Sequence, residues 1–218
     1  MVQNNMMHPL VRTFLDFILP PKDDVRVARA VSEETLRGLL HPTLVKEMWI
    51  ISLFPYRNGN VRSLVRSVKF YGETGALNAI GAVVGEFLLE MISEKKLFSG
   101  WNTPLLIPIP ASGKRLKERG YNQAERIAES LLPFLEGSIL YAPEALRRNE
   151  RESQVRIERK EREKNIAGAF FVPDAGAVSG KQILLIDDVV ESGATLKDAR
   201  RALRAAGASE VIGVALAH

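Results

Sequence analysis

The chain has no cysteine among its 218 residues. That single absence excludes disulfides, thiolate zinc centres and cysteine nucleophiles together. Histidine is almost as scarce: His8, His41 and His218 stand far apart, at no metal-ligand spacing. No uninterrupted apolar run reaches the roughly 20 residues of a membrane span. The N-terminus lacks the basic-then-apolar pattern of a secretory signal, so the cytoplasm is the expected compartment. There is no internal repeat and no low-complexity tract. What remains is an ordinary globular composition with a net charge of +4, an excess that suits an anionic substrate or nucleic acid without choosing between them.

The informative stretch is residues 182–196. Ile183, Leu184, Leu185 and Ile186 form a short apolar run, which reads as a strand buried on both faces in a parallel sheet. Asp187 and Asp188 follow at once. A small-residue turn comes next, Ser192, Gly193, Ala194 and Thr195, and then a helix from Leu196 to about Ala206, ended by Gly207. Such a strand delivers both acids to the carboxyl edge of a sheet, where open α/β folds bind ligands. The turn offers backbone N–H groups and two hydroxyls at a helix N-terminus, a setting for phosphate. Adjacent carboxylates suit neighbouring sugar hydroxyls and a hard cation such as Mg²⁺. A ligand with a 5-phosphate, a ribose diol and a metal-bound leaving group satisfies both halves, which describes phosphoribosyl pyrophosphate (PRPP).

Elsewhere the pattern supplies a scaffold. A short amphipathic helix is expected over 10–19, and another after Ser32, a plausible N-cap with Thr35 at the capping-box position. Residues 48–54 read as a strand, and 61–70 as a helix with Val61, Leu64, Val65 and Val68 on one face and Arg62, Arg66 and Lys69 on another. A more apolar helix is expected over 75–91, with Gly81 and Gly85 at the spacing of close packing against a neighbour. A second buried strand, 105–109, leads into a basic, Gly-containing loop carrying Lys114 and Arg115. Asn122 then caps a helix running to about Leu132. Weaker strands are expected at 138–141 and near 165–172, and a closing strand over 211–217. The stretch 147–164 is the most charged of the chain and reads as a solvated loop or helix.

Residues 183–195 resemble the PRPP-binding signature of the type I phosphoribosyltransferases. The resemblance extends to Pro108-Ile109-Pro110, to Lys114-Arg115-Leu116, to Arg119-Gly120-Tyr121-Asn122-Gln123-Ala124 and to Leu146-Arg147-Arg148. Upstream it takes in Leu53-Phe54-Pro55-Tyr56 and Val68-Lys69-Phe70-Tyr71-Gly72. Together these are similar to the ComF-like branch. The resemblance implies an α/β fold of the type I phosphoribosyltransferase kind: a mainly parallel twisted sheet flanked by helices, with a small N-terminal or hood region. It divides the chain into a metal-free helical segment, 1–52, and a phosphoribosyltransferase domain, 53–218. Many ComF-like proteins carry an N-terminal zinc module built on cysteine pairs; without cysteine this chain cannot, and no zinc is expected.

The resemblance further implies transfer of phosphoribose from PRPP, with Mg²⁺, to an acceptor such as a nitrogenous base. Asp187 and Asp188 would hold the ribose hydroxyls and, directly or indirectly, the metal. Ser192, Gly193, Ala194 and Thr195 would hold the 5-phosphate, and Lys114 and Arg115 the pyrophosphate. Glu191, where ComF-like proteins usually have a small polar residue, is the candidate general base. Arg147, Arg148, Arg159 and Arg162 would belong to a mobile loop closing over the leaving group. The alternatives are a PRPP- or nucleotide-sensing protein without turnover and a competence-related DNA-uptake accessory. The expected partner is PRPP, with an unnamed acceptor. A homodimer is compatible with the resemblance and a membrane is not expected. Nucleic acid is less favoured, because the basic segments 61–70 and 147–164 lack interleaved aromatics for stacking single strands.

Overall fold

The computed structural model describes residues 23–45, 47–149 and 168–218. The helix expected over 10–19 lies outside these residues, as does most of the charged stretch, including Arg159 and Arg162. The described chain begins with helices α1 (Asp23–Ala30) and α2 (Glu33–Leu39), the latter capped by Ser32, whose hydroxyl accepts the Thr35 N–H as expected. Strands β1 (Thr43–Leu44) and β2 (Ile50–Phe54) follow. Helices α3 (Gly59–Tyr71) and α4 (Thr74–Ser99) come next, then β3 (Leu105–Pro108). Helices α5 (Gly113–Arg119) and α6 (Gln123–Leu131) lead to β4 (Leu140–Tyr141) and β5 (Arg147–Arg148). The chain continues through β6 (Phe170–Phe171), α7 (Ala175–Val178), β7 (Gln182–Val189), α8 (Ala194–Ala205) and β8 (Glu210–Ala217).

Six strands form one sheet in the order β1-β2-β8-β7-β3-β4, parallel throughout except for the antiparallel edge pair β1–β2. The expected mainly parallel α/β architecture is therefore present. Strand β7 explains why its sequence is continuously apolar rather than alternating. Leu184 and Ile186 enter a core with Leu53, Ile80, Leu106 and Ile212 on one side. Ile183 and Leu185 enter a second core with Ile50, Ile107, Leu196 and Leu203 on the other. The first core also takes in Ala28, Val31 and Leu36 of the N-terminal helices, and β2 straddles residue 52, where the sequence reading divides the chain.

Helix α4 runs eight residues beyond the expected end at Met91, to Ser99. By length and composition it could cross a membrane, although Glu86 and Glu90 interrupt its apolar run, and 61% of its apolar window is buried inside the fold. Its glycines serve close packing. A Cβ on Gly81 would lie 2.2 Å from the Ser130 carbonyl oxygen, and one on Gly85 2.6 Å from Phe134 Cβ. Arg37 of α2 forks onto Glu86, and Lys95 and Trp101 both donate to Glu210 at the start of β8.

Three other local expectations need correction. The basic loop after β3 contains α5, started by Ser112, whose hydroxyl accepts the Arg115 N–H. Strand β7 does not stop before the acids but includes both, because Asp187 pairs with Ala215 and Val189 with Ala217 of β8. Arg147 and Arg148 are not loop residues: they form β5, an antiparallel ribbon with Phe171 and Phe170 of β6.

Candidate functional site

The site is built where β7 outruns its neighbour. Strand β3 pairs with β7 only as far as Pro108 opposite Ile186, and the Ile109 N–H donates to the Ile186 carbonyl at 2.9 Å. Beyond that point Asp187 and Asp188 stand at the carboxyl edge of the sheet. They line a cleft of about 560 Å³ together with Arg115, Glu191, the Ser192–Thr195 turn and Arg148. The acids and the turn, adjacent in sequence, share one cavity, and the fold brings Arg115 to them.

The two carboxylates are held by local backbone as well as by each other. The Asp188 N–H donates to Asp187 Oδ1 and the Val189 N–H to Asp188 Oδ1, each at 2.9 Å. Burial, reinforced by the neighbouring Asp188 charge, pushes the Asp187 carboxyl up to about 8. Across the cleft the Lys69 ammonium lies 3.6 Å from Asp188 Oδ2, with both side chains partly buried. One acid thus leans toward the neutral form while the other faces a cation.

The turn after β7 is shaped for close backbone approach. Gly193 adopts φ 76°, a left-handed conformation that costs glycine nothing, and it directly precedes α8. The Ser192 hydroxyl accepts the Ala194 N–H at 3.3 Å. Twelve helical residues align their peptide dipoles behind Ala194 and Thr195, so the positive end of α8 opens on the cleft.

Lys114 takes a different position from Arg115. It lines an adjoining cavity of about 780 Å³ with Arg147, Arg148 and Asn149, and its ammonium lies 3.8 Å from Glu118 on its own helix. Arg148 borders both cavities and stacks over the Phe170 ring at 5.1 Å. The ribbon carrying it is pinned to α8: Asp198, itself buried, accepts the N–H groups of Gly168 (2.9 Å) and Phe170 (3.1 Å) and binds Arg201. Asn149 extends the ribbon by donating its side-chain amide to the Gly168 carbonyl and its N–H to the Ala169 carbonyl.

Three cleft residues carry no local signal of their role. The sequence pattern puts Tyr56 just past the strand 48–54 and Lys69 on the basic face of the helix 61–70, yet both line the cleft, and both fall within the motifs of the ComF-like resemblance. His218 lines it too. Its Nδ1 lies 2.9 Å from the Val190 carbonyl oxygen, and since a carbonyl only accepts, Nδ1 is the donor. Isolation from other histidines hides it in the sequence.

Among the described residues no group of three or more His, Cys, Asp or Glu side chains could hold a metal ion. The Asp187–Asp188 pair instead offers the one or two carboxylates with which Mg²⁺ is held when substrate phosphates complete its shell. The donor set fits a metal that arrives with a phosphorylated ligand and does not fit a resident one.

A model of the phosphoribosyl transferase domain matches residues 79–218, more than half of the chain. The competence protein ComFC of Bacillus subtilis is 29% identical over 152 residues, covering 70% of this chain and 56% of that protein. ComFC of Streptococcus pneumoniae is 29% identical over 162 residues, covering 73% and 64%. The chain therefore spans less than two thirds of the length of either curated relative. A solved phosphoribosyltransferase from Corynebacterium diphtheriae is similar at 20% identity, with a TM-score of 0.35, over 88% of this chain and 78% of that one.

Proposed function

The chain is a ComF-like member of the phosphoribosyl transferase domain family, and on that premise we propose that it binds PRPP with Mg²⁺ in the β7 cleft and transfers its phosphoribosyl group to a nucleophilic acceptor. The observation that carries this reading is the convergence of three features in one cavity: the Asp187–Asp188 pair, the left-handed Gly193 turn at the head of α8, and the Arg115 guanidinium.

The residues divide the ligand between them. Ser192, Gly193, Ala194 and Thr195 take the 5-phosphate, where backbone N–H groups and the positive end of α8 meet a dianion. Asp187 and Asp188 take the ribose hydroxyls. Bound Mg²⁺, held by the same carboxylates, would neutralise charge on the pyrophosphate. Arg115 adds a fixed positive charge on that side, and Arg148 reaches the same space from the ribbon. Lys114 belongs to this set only through the adjoining cavity.

In the transfer, the acceptor's lone pair forms a bond to ribose C1 while the C1–O bond to pyrophosphate breaks. The bonding pair leaves with pyrophosphate. The acceptor's proton passes to the Glu191 carboxylate, which stands on the cleft rim and is the candidate base. Positive charge developing on the sugar is met by the Asp188 carboxylate, and by that of Asp187 once a bound cation has displaced its proton.

The test is calorimetric titration of PRPP with Mg²⁺, without Mg²⁺, and into Asp187→Asn/Asp188→Asn. Metal-dependent binding that the double variant loses supports the reading, and pyrophosphate release with an acceptor panel then tests turnover. Absence of binding to the parent protein would sink it. A second reading is favoured by the names of the two relatives: a PRPP-binding competence accessory without turnover, which binds as above but releases no pyrophosphate with any acceptor.

A further inference from the structure

A further cavity adjoins the carboxylate cleft, sharing part of its wall. It measures about 850 Å³, is lined by Gly59, Asn60, Arg62, Arg66 and Asp24, and shares Tyr56 and Lys69 with the carboxylate cleft. The wall common to both comes from α3 and the turn before it, upstream of the family match at residues 79–218.

Helix α3 gives this groove its charge. Arg62, Arg66 and Lys69 follow one another at four and three residues, which places them in a row on one helix face. Arg62 and Arg66 are exposed, and Lys69 ends the row at the carboxylates, 3.6 Å from Asp188. Against these three cations the groove sets one carboxylate, Asp24, bound by Arg66 Nε at 3.2 Å and by the Ser63 hydroxyl at 3.1 Å. Arg62 makes no ion pair among the described residues. The first turn of α3 lies in the same groove, so the positive end of a 13-residue helix adds to the field.

Resting on the PRPP reading above, we propose that this groove binds the phosphate of a phosphorylated acceptor. The acceptor's nucleophilic atom lies at the carboxylates and its phosphate along Arg62 and Arg66, with Lys69 at the junction. Two guanidinium forks one turn apart match phosphate oxygens, and an anion meets the positive charge that Asp24 leaves on this face. A neutral base alone would leave Arg62 and Arg66 with no role in recognition.

The experiment uses the full chain and inorganic tripolyphosphate as probe, titrated calorimetrically with and without saturating ribose 5-phosphate, which fills the phosphate turn. Tripolyphosphate is expected to bind in both cases, and more weakly as salt rises. Arg62→Gln/Arg66→Gln should weaken it at least about tenfold, while ribose 5-phosphate affinity stays within about twofold. Thermal melting checks that the double variant is folded. Loss of all tripolyphosphate binding when ribose 5-phosphate is saturating, or equal binding by parent and variant, overturns the proposal. Equal binding of citrate overturns its restriction to phosphate. Failure of the PRPP reading would look different: neither PRPP nor ribose 5-phosphate would bind, while tripolyphosphate binding would still depend on Arg62 and Arg66.

Discussion

Asp198 accepts the backbone N–H of Phe170 at 3.1 Å, across 28 residues of sequence, and so fastens the β5–β6 ribbon to the helix that follows the Gly193 turn. The same carboxylate accepts from Gly168 and binds Arg201. Asp198→Ala should strip partners from two N–H groups and destabilise the protein by about 2–4 kcal/mol, since each unsatisfied buried donor costs about 1–3 kcal/mol. Denaturant unfolding measures it. Asp198→Asn, which keeps one carbonyl acceptor, should lose less.

The Asp187 carboxyl has the opposite character. Its affinity for a proton is higher in the folded cleft than in the unfolded chain, where it titrates near 3.8. The folded state therefore gains from this group below about pH 4, and the gain is lost as pH rises through about 8. Asp187→Asn and the parent should melt alike near pH 4. At pH 9 the variant should melt a few degrees higher. Equal melting temperatures at both ends of the range would refute the shift. Binding of Mg²⁺ with PRPP near neutral pH should release a proton, visible as a buffer-dependent heat.

Lys69 competes with any cation brought to Asp188. Lys69→Gln removes the ammonium while keeping a polar side chain, and is expected to tighten Mg²⁺ binding in the presence of PRPP about two- to fivefold, the scale of a partly exposed ion pair. Unchanged metal affinity would mean that the pair does not persist in solution.

Glycine-to-alanine changes in helices ordinarily stabilise, by up to about 1 kcal/mol. A Cβ added to Gly38 in α2 would meet nothing within 4 Å, so Gly38→Ala should follow that rule. Gly81→Ala should reverse it and cost about 1–3 kcal/mol, because the new methyl meets the Ser130 carbonyl oxygen on α6. Thermal unfolding of the two variants side by side separates packing from propensity.

The parts legible in the sequence are those with a strong local signature. The doubly buried run of β7, the acids beyond it, the Gly193 turn and the Asn122 cap all read directly, and Gly81 and Gly85 announce the close approach that α4 makes. Helix α5 is illegible because it buries no residue, so no apolar periodicity marks it. The last turns of α4 are mostly exposed and hide for the same reason. Arg147 and Arg148 read as loop because their strand character comes from pairing with Phe170 and Phe171, more than twenty residues away. Tyr56, Lys69 and His218 meet the carboxylates only through the sheet order, which no local pattern encodes.

That order has a consequence for how the protein is made. Strand β8 is the last of the described strands, yet it lies between β2 and β7 near the middle of the sheet. Until it is synthesised, β2 and the β7–β3 pair have no common neighbour, and the exposed flanks of both are free to pair wrongly. Earlier segments of a nascent chain can fold as they emerge. Here the carboxylate cleft must wait, since Asp187 takes its register from Ala215. Ribosome-stalled chains lacking residues 210–217 should therefore remain protease-sensitive even where their helices have formed.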